Sequence, residues 1–442
     1  ANIDTNRHQF IKICLRHATS PVCRNRQSLP CWVKQPVHPI SGPAVCRSIS
    51  AGAARIEGLP SSCRNSQPGN RDLQTLPTKR TLHASFEAAN DGMQSTEVDE
   101  PKGEIGMSIR IAELSKTFSN HRAINDLTFE VPKNAFFCVV GASGCGKSTL
   151  LRLIAGLETP DTGRIDLSDR EVFGTGVNVP PEDRKVGVVF QSYALWPHMS
   201  VAKNVAFPYE AQGVSATHAA ERTAEHLERV ALTELAGRRP EALSGGQRQR
   251  VALARCLASD ARTILMDEPL ANLDPHLRGT MEGELRAFHD RSEVTTLYIT
   301  HDQREAMALA DVMAVMDQGR FLQLGTPQDI YDRPATEKVA RFIGRGTVFE
   351  ADIRGSEASF QGQIFPVSGP ASGRVFIRPE RVSIADDGIP AKISTAHYRG
   401  GFWEAEALID GVDASVQLNL AHPAHAGDHV ALRFTGGWGL PD

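Results

Sequence analysis

The sequence predicts an α/β domain with a mainly parallel sheet, followed by a small all-β domain. Helical patterns separate four unbroken apolar runs, at 136–140, 263–266, 296–299 and 312–315. Such runs are typical of parallel strands that are buried on both faces. After residue 344 the chain changes to short alternating strands separated by Gly, Pro and Asp, which is the pattern of a small barrel or sandwich.

The composition excludes two broad classes of protein. The chain has 442 residues, of which 41% are hydrophobic and 23% charged, and its formal net charge is −4 at pH 7. This near-neutral balance gives no general attraction to nucleic acid or anionic lipid, so we expect no nucleic-acid partner. No window approaches the roughly 18 consecutive apolar residues that a transmembrane helix needs. Any role at a membrane must therefore come through a partner protein.

Residues 1–106 differ in composition from the rest of the chain. They show no strand or helix periodicity, and residues 1–80 contain twelve Lys and Arg against three Asp and Glu. Five of the eight cysteines also lie there without a CxxC pair, so neither a zinc site nor a disulfide framework is predicted. We expect a disordered or non-native extension, either translated upstream sequence or an organellar transit peptide. Strand-like alternation begins directly after Met107, which makes Met107 the expected start and Met93 the second candidate.

A glycine-rich loop follows the first apolar run directly. The segment from Gly141 to Ser148 reads G-A-S-G-C-G-K-S and fits the pattern G-x-x-x-x-G-K-[ST] of a loop that binds ATP and Mg²⁺. Backbone N–H groups of such a loop wrap the phosphates, Lys147 reaches the β- and γ-phosphates, and Ser148 gives a hydroxyl to Mg²⁺. A chance glycine turn is the alternative, which the strand before the loop and the helix after it disfavour. The nucleotide-binding residues predicted here are Gly141, Ala142, Ser143, Gly144, Cys145, Gly146, Lys147, Ser148 and Thr149.

Two carboxylates end the apolar run 263–266. Asp267 is placed to hold the Mg²⁺ shell at the carboxyl end of the strand. Glu268 is one residue further on and is suited to polarise an attacking water as a general base. Two acids after a strand are often only solvated loop charges, so this prediction depends on the phosphate-binding loop beside them.

A third motif leads to a family resemblance. The segment from Leu243 to Gln247 reads L-S-G-G-Q and matches the signature motif of ABC-type ATPases. The chain resembles this family from residue 109 to about 343, and less specifically beyond it. The resemblance implies a P-loop NTPase fold of ABC type, with a parallel-sheet core and a helical subdomain, over residues 107–343. It implies an OB-like, TOBE-type β-barrel domain over residues 344–442.

The resemblance also implies roles for residues outside the phosphate loop. Phe118 resembles the aromatic residue that stacks on adenine, although a core phenylalanine is the alternative. Gln191 resembles the glutamine that contacts Mg²⁺ and the attacking water, and His301 resembles the histidine at the γ-phosphate. The implied catalytic residues are Glu268, His301, Gln191 and Lys147, and the implied Mg²⁺ ligands are Ser148, Gln191 and Asp267.

The signature motif further implies a second copy of the chain. In the family it closes on the nucleotide of a partner, and Asp274 resembles the aspartate that couples the two sites. This chain has one set of motifs, so the resemblance implies a homodimer that sandwiches two nucleotides. The residues implied to contact the partner's nucleotide are Ser244, Gly245, Gly246 and Gln247, together with Asp274.

The segments 181–185 and 191–199 resemble those of import ATPases for ferric ion, polyamines, sulfate and sugars. This implies integral membrane permease subunits as partners, a periplasmic solute-binding protein as an indirect partner, and a peripheral location on the cytoplasmic face of the bacterial inner membrane. A soluble ABC ATPase acting on DNA or ribosomes is the alternative of another class. We expect an apolar groove for a permease helix, with a local core cluster as the alternative, and its rim is Tyr193, Leu195, Trp196 and Met199.

The prediction of the transported solute rests on the C-terminal domain alone. Segments 362–367 and 376–380 resemble the ferric-ion group of importers, which makes ferric iron the expected solute. Polyamine, phosphonate, sulfate and sugar remain open as alternatives.

Two local expectations concern single elements. Cys145 lies in the phosphate loop, where backbone dipoles and Lys147 favour a thiolate if the side chain is exposed. The segment 216–231 predicts an amphipathic helix. Its expected apolar face is Ala220, Ala224, Leu227 and Ala231.

Overall fold

The computed structural model describes residues 106–412 and 414–441. The expectation for the N-terminal extension falls on residues that lie, Gly106 apart, outside this part of the chain. Within the described residues, no helix combines the length and the apolar character needed to span a membrane. The limits predicted for the two domains, 107–343 and 344–442, stay predictions.

An antiparallel sheet of five strands begins the described chain, in the order β2-β1-β4-β5-β6. Apolar side chains of its two long strands alternate with exposed ones, so one face of the sheet packs on the core. Its strands are β1 Met107–Phe118, β2 His121–Pro132, β4 Thr162–Leu167, β5 Arg170–Gly174 and β6 Val177–Asn178.

The second sheet has six strands in the order β11-β10-β3-β9-β8-β7. All neighbours in it are parallel except β10 and β11, and the four predicted apolar runs are its strands β3, β8, β9 and β10. The prediction of a mainly parallel sheet is confirmed, and β3 and β9 are buried along their whole length because both faces are covered. Its strands are β3 Phe136–Val140, β7 Val186–Val189, β8 Thr263–Asp267, β9 Thr295–Thr300, β10 Val312–Asp317 and β11 Arg320–Gly325.

Helices follow most of the parallel strands, and three of them form the predicted helical subdomain between β7 and β8. In that subdomain α2 packs against both α3 and α4. The face predicted for α3 is wrong in part, because Ala219, Thr223 and Leu227 are buried. The predicted face members Ala220, Ala224 and Ala231 are exposed, and Ala231 lies beyond the end of the helix. The helices are α1 Lys147–Ala155, α2 Val201–Ala211, α3 Ala216–Arg229, α4 Gly245–Ala258, α5 Pro275–Ser292, α6 Gln303–Leu309, α7 Pro327–Asp332 and α8 Glu337–Phe342.

The C-terminal part is all-β, as predicted, with two sheets in the orders β12-β16-β21-β15-β14-β13 and β19-β18-β17-β20. Its core contains a cluster of phenylalanine rings in which Phe434 lies 5.4 Å from Phe349 and 5.3 Å from Phe365 between centroids. The strands are β12 Thr347–Glu350, β13 Asp352–Arg354, β14 Glu357–Phe360, β15 Gln363–Ser368, β16 Arg374–Ile377, β17 Val382–Tyr398, β18 Trp403–Ile409, β19 Ser415–Leu420, β20 His429–Phe434 and β21 Gly437–Gly439.

Candidate functional site

The glycine-rich loop joins the end of β3 to the start of α1. Gly144 and Gly146 have φ angles of 83° and 113°, a backbone conformation that side chains disfavour. A Cβ atom on Gly146 would lie 2.3 Å from the carbonyl oxygen of Ala123, so glycine is required there. No side chain caps the N-terminus of α1. Its first N–H groups are therefore available to an anion such as a phosphate.

Lys147 occupies the mouth of this loop. Its Nζ atom donates hydrogen bonds to the carbonyl oxygens of Gly141, at 2.8 Å, and Ala142, at 3.0 Å. Within the described chain no carboxylate lies at ion-pair distance from Nζ, although only 5% of the residue is exposed. Nζ also lies 3.8 Å from Cys145 Sγ. A buried ammonium whose described partners are two carbonyl oxygens and a thiol is strongly stabilised by a phosphate.

Ser148 and Asp267 bring the loop and the neighbouring part of the sheet together. The Ser148 hydroxyl donates a hydrogen bond of 2.9 Å to Asp267 Oδ1 at the carboxyl end of β8. Burial raises the pKa of Asp267, and the hydrogen bond from Ser148 opposes that rise. Burial thus disfavours the negative charge of Asp267, and a bound cation beside the carboxylate would stabilise that charge.

The Ser148 hydroxyl and the Asp267 carboxylate suit Mg²⁺ better than they suit a metal ion whose ligands all come from the protein. In the described residues no group of three or more His, Cys, Asp and Glu could bind a metal ion. Mg²⁺ commonly takes one or two protein oxygens and completes its shell with phosphate oxygens and water. The hydroxyl and carboxylate at the end of β8 are such a pair.

Glu268 and His301 face each other at the same edge of the parallel sheet. His301 Nδ1 lies 3.1 Å from Glu268 Oε1. Glu268 has a φ of 46°, and its N–H donates a hydrogen bond of 3.0 Å to the carbonyl oxygen of Ile299. Because β8 and β9 are adjacent and parallel, the residues after them meet, and this edge is where ligands of open α/β sheets bind.

Gln191 lies in the loop after β7, the strand next to β8. Its side chain is exposed, and its carbonyl oxygen accepts a hydrogen bond of 2.9 Å from Asn272 Nδ2. The loop after β7 is thus tied to the loop after β8. The structure brings Gln191 to the edge that carries Asp267 and Glu268.

Phe118 ends β1, and 40% of it is exposed, which excludes the core alternative for this residue. Lys116 Nζ lies 5.2 Å from the centroid of its ring. The ring therefore offers a face that a flat base can cover.

The signature residues begin α4. The Ser244 hydroxyl accepts a hydrogen bond from the Gln247 N–H, and Gln247 Oε1 accepts one of 2.9 Å from the Ser244 N–H. This reciprocal capping box fixes the exposed start of the helix. A Cβ atom on Gly246 would lie 2.6 Å from Met281 Sδ, and Gly245 is half-buried beside Leu273.

Asp274 caps α5 in a similar way. Its carboxylate accepts hydrogen bonds from the N–H groups of His276 and Leu277, at 3.1 Å and 3.0 Å. Within the described chain the side-chain hydrogen bonds of Ser244, Gln247 and Asp274 are all local. Their surface is thus free to meet another molecule.

A buried network that the sequence analysis missed lies behind His301. The Glu305 Oε2 atom accepts hydrogen bonds from the hydroxyls of Tyr298, at 2.8 Å, and Thr300, at 2.7 Å. Arg278 of α5 lies 3.1 Å from Asp302 Oδ2 and 3.6 Å from Glu305 Oε1. No local motif marks these residues, since the contacts join three separate elements.

A thiolate is expected at Cys145 only if its side chain is exposed, and the structure does not meet this condition. Only 6% of Cys145 is exposed, and burial raises the pKa of its thiol, a rise that the nearby Lys147 ammonium only reduces. A thiolate is therefore disfavoured at neutral pH. The cause is that the loop turns Cys145 inward, where a Cβ atom on Gly141 would lie 2.8 Å from the Cys145 Sγ atom.

The prediction that Tyr193 and Trp196 line the rim of an apolar groove is wrong. Tyr193 and Trp196 are each only 4% exposed. The Tyr193 hydroxyl donates a hydrogen bond of 3.2 Å to the carbonyl oxygen of Pro269, and the Trp196 ring lies 4.5 Å from that of Phe207. The core-cluster alternative is correct for both residues, because long-range partners bury them.

Comparisons with known proteins agree with this geometry. A family model described as ABC transporter matches residues 124–271. A second model, described as TOBE domain, matches residues 375–439. The first range contains the phosphate-binding loop, the signature motif and the Asp267-Glu268 pair.

Three relatives match most of the chain. The sulfate/thiosulfate import ATP-binding protein CysA of Synechococcus elongatus is 42% identical over 314 residues, which are 70% of this chain and 88% of the relative. The spermidine/putrescine import ATP-binding protein PotA of Marinobacter nauticus is 36% identical over 353 residues, 75% of this chain and 94% of the relative. The Fe(3+) ions import ATP-binding protein FbpC of Escherichia coli O157:H7 is 36% identical over 336 residues, 74% and 95%. The chain therefore belongs to the ABC transporter family, as an ATP-binding protein with a C-terminal TOBE domain.

Proposed function

We propose that this chain is the ATP-hydrolysing subunit of a binding-protein-dependent ABC importer that takes up ferric iron. The observation that carries the proposed chemistry is the contact of Glu268 with His301 beside the Ser148–Asp267 pair. All four residues lie at one edge of the parallel sheet, next to an uncapped helix N-terminus. The names of the three relatives support import as the role of the ATPase.

The phosphates of ATP would lie against the loop from Gly141 to Thr149. Lys147 would exchange its bonds to two loop carbonyls for stronger, charge-assisted bonds to the β- and γ-phosphate oxygens. The first N–H groups of α1 add the positive end of a helix dipole. Phe118, exposed at the end of β1, would stack on adenine.

Hydrolysis would take place beside Glu268. Its carboxylate would orient a water and accept its proton, and His301 at 3.1 Å would hold that carboxylate in place and contact the γ-phosphate. Ser148, Gln191 and Asp267 would hold Mg²⁺, which neutralises phosphate charge when it is bound. The fixed backbone of Glu268, anchored to Ile299, keeps the base at one position.

We further propose that the working form is a homodimer. At the capped start of α4 Ser244 is exposed, Gly245 and Gln247 are half-buried and Gly246 is buried, so Ser244, Gly245 and Gln247 would meet the nucleotide of a second copy while Gly246 would shape the turn beneath them. Asp274 lies at the exposed N-terminus of α5 and would join the two sites. The completed sandwich would contain two ATP molecules.

The membrane partner would be a permease, with the chain held peripherally at the inner membrane. Tyr193 and Trp196 are buried beneath the segment 191–199, so a permease would contact the exposed and half-buried residues of that segment. Leu195 and Met199 are half-buried, and Pro197 and His198 between them are exposed. The docking surface is thus smaller and more polar than the sequence predicted.

The ferric part of the proposal is tested by uptake in the host organism. A strain without this chain is compared with strains that express it intact or as Lys147→Ala, using radiolabelled ferric iron, sulfate and spermidine. We expect only the intact chain to restore uptake of ferric iron. Restored uptake of sulfate or spermidine instead would refute ferric specificity and keep the importer role. Unchanged uptake of all three solutes in the deletion strain would also refute ferric specificity, and the same comparison with radiolabelled sugar and phosphonate would then test the importer role.

A further inference from the structure

The turn that carries Gln191 has a strained exit. The Tyr193 N–H donates a hydrogen bond of 2.8 Å to the carbonyl oxygen of Phe190, so Gln191 occupies the second position of a closed turn. The two residues at the exit of the turn, Tyr193 and Ala194, have φ angles of 61° and 46°, a region that residues other than glycine seldom adopt. Such a backbone persists only where the surrounding contacts hold it.

Arg255, in the last turn of α4, supplies two of these contacts. Its Nη1 atom donates a hydrogen bond of 2.8 Å to the carbonyl oxygen of Ala194, and its Nη2 atom donates one of 3.1 Å to that of Tyr193. The guanidinium also lies 5.0 Å from the centroid of the Trp196 ring. One side chain thus holds the backbone of both left-handed residues and packs on a buried ring of the same segment.

The guanidinium of Arg255 is itself kept in the core by these contacts. Only 5% of the residue is exposed, and no carboxylate of the described chain lies at ion-pair distance from it. A buried cation is costly unless hydrogen bonds compensate the loss of water. The two carbonyl groups at the exit of the turn provide that compensation, so the arginine and the turn stabilise each other.

The loop after β8 holds the other side of the turn. Asn272 Nδ2 donates a hydrogen bond of 2.9 Å to the carbonyl oxygen of Gln191, and the Tyr193 hydroxyl donates one of 3.2 Å to that of Pro269. The backbone of the turn is therefore fixed from the sheet edge on one side and from α4 on the other. The exposed side chain of Gln191 projects from this fixed backbone.

We propose that Arg255 is a positioning residue for Gln191. It fixes the exit of the turn from α4 and so keeps the glutamine beside Ser148 and Asp267. The inference rests on the role in Mg²⁺ binding proposed above for Gln191. A lysine has the charge of Arg255 but lacks the planar fork, so it cannot bond both carbonyl oxygens in the same way.

Hydrogen exchange of the full-length chain, measured by mass spectrometry without nucleotide or metal, tests the effect on the turn. Peptides that cover 190–196 should exchange at least about tenfold faster in Arg255→Gln, because hydrogen bonds from a charged group are lost and the turn opens more often. Peptides of β8 and β9 should keep their wild-type rates. Arg255→Lys, which retains the buried cation, should give an intermediate rate, and it replaces Arg255→Gln if that variant does not fold.

The Mg²⁺ requirement of ATP turnover tests the effect on Gln191. The free Mg²⁺ concentration for half-maximal turnover should rise about tenfold in Arg255→Gln and in the reference variant Gln191→Ala, and less in Arg255→Lys. The KM for ATP at saturating Mg²⁺ should change by less than about twofold, because Phe118 and the phosphate loop are intact. A substitution that only destabilised the fold would not shift the Mg²⁺ requirement.

Arg250→Gln is the matched control. Arg250 is half-buried on the same helix and donates a hydrogen bond of 3.2 Å to the carbonyl oxygen of Val230, outside the turn. This variant should keep the wild-type exchange of peptides 190–196 and the wild-type Mg²⁺ requirement. An effect on either as large as that of Arg255→Gln would overturn the inference.

The remaining outcomes separate this inference from the proposed function. Unchanged exchange at 190–196 in Arg255→Gln, or faster exchange in every peptide alike, overturns the positioning role. A raised Mg²⁺ requirement for Gln191→Ala but not for Arg255→Gln overturns the inference and leaves the proposed function intact. An unchanged requirement for Gln191→Ala overturns the proposed role of Gln191 and the inference with it.

Discussion

At the scale of single residues, burial decides how the phosphate-binding loop and the segment after Gln191 behave. Cys145 and Trp196 both stand in segments with strong functional motifs, and the motif alone suggests exposure. In the structure the loop turns Cys145 inward, and Asn204 accepts the Trp196 N–H in a buried hydrogen bond of 2.9 Å. These contacts join residues that no local pattern connects.

The raised pKa of Cys145 predicts slow alkylation. Burial raises the pKa of its thiol above the ordinary range of cysteine, so little thiolate is present at neutral pH and more forms as the pH rises. Iodoacetamide labelling, followed peptide by peptide in a mass spectrometer, should be slow at pH 7 and faster at pH 10. Rapid labelling at pH 7 that nucleotide prevents would contradict this account.

Trp196→Ala should act on stability. The ring packs on Phe207 and lies 5.0 Å from the Arg255 guanidinium, so truncation should lower the free energy of unfolding by about 3–5 kcal/mol. Phe118→Ala is the contrast, since an exposed ring should cost about 0.5 kcal/mol or less but raise the KM for ATP. Urea unfolding compares the stability of the two variants, and steady-state kinetics gives the KM for ATP of Phe118→Ala. An unchanged midpoint for Trp196→Ala would mean that the ring is not part of the core.

At the scale of elements, the parallel strands and their carboxyl-terminal ends were predictable and the helix faces were less so. Unbroken apolar runs indicate strands because both sheet faces are covered. In α3 the small size of alanine hides the pattern, since Ala219 is buried and Ala220 is exposed. Thr223 completes the buried face, which a purely apolar pattern cannot show. The network around Glu305 has no sequence signal for a different reason. Its partners come from β9, α5 and α6, which are separate in the sequence.

This network predicts that Arg278 positions the segment after β9, which contains His301. Arg278 lies in α5, which begins after Asp274, and it pairs with Asp302 next to His301. Arg278→Gln should lower kcat about tenfold with little change in the KM for ATP, because the loss of a charge-assisted bond displaces His301 and leaves the phosphate loop intact.

Arg304→Gln is the matched control for Arg278, because Arg304 pairs with the same Asp302 from a side that is 86% exposed. Exposed ion pairs contribute little, so the kcat of this variant should stay near that of the wild type. Steady-state kinetics compares them. Equal kcat for the two variants, or a rise in KM alone for Arg278→Gln, would show that Arg278 does not act through His301.

At the scale of the whole molecule, the fold class and the order of the site motifs were predictable, and the solute was not. The phosphate-binding loop, Gln191, the Asp267-Glu268 pair and His301 each follow a parallel strand. Because the carboxyl ends of parallel strands lie at one edge of a sheet, these motifs were expected to meet there. The names of the relatives combine the same ATP-binding role with sulfate, spermidine and Fe(3+) ions.

We propose that Glu268 is the base of an ATPase that works as an ATP-bound dimer. Glu268→Gln keeps the shape of the side chain and removes its basicity, so ATP turnover should fall at least about a hundredfold while ATP binding persists. Glu228→Gln, on the exposed face of α3, is the matched control and should keep wild-type turnover.

The most direct measurement is therefore the mass of Glu268→Gln in solution with ATP and Mg²⁺, by light scattering on a sizing column, together with its turnover. We expect a stable particle of twice the monomer mass that forms only with ATP and is lost when Lys147→Ala is added. A variant that hydrolyses ATP within a few-fold of the wild type, or that stays monomeric when saturated with ATP, would contradict it.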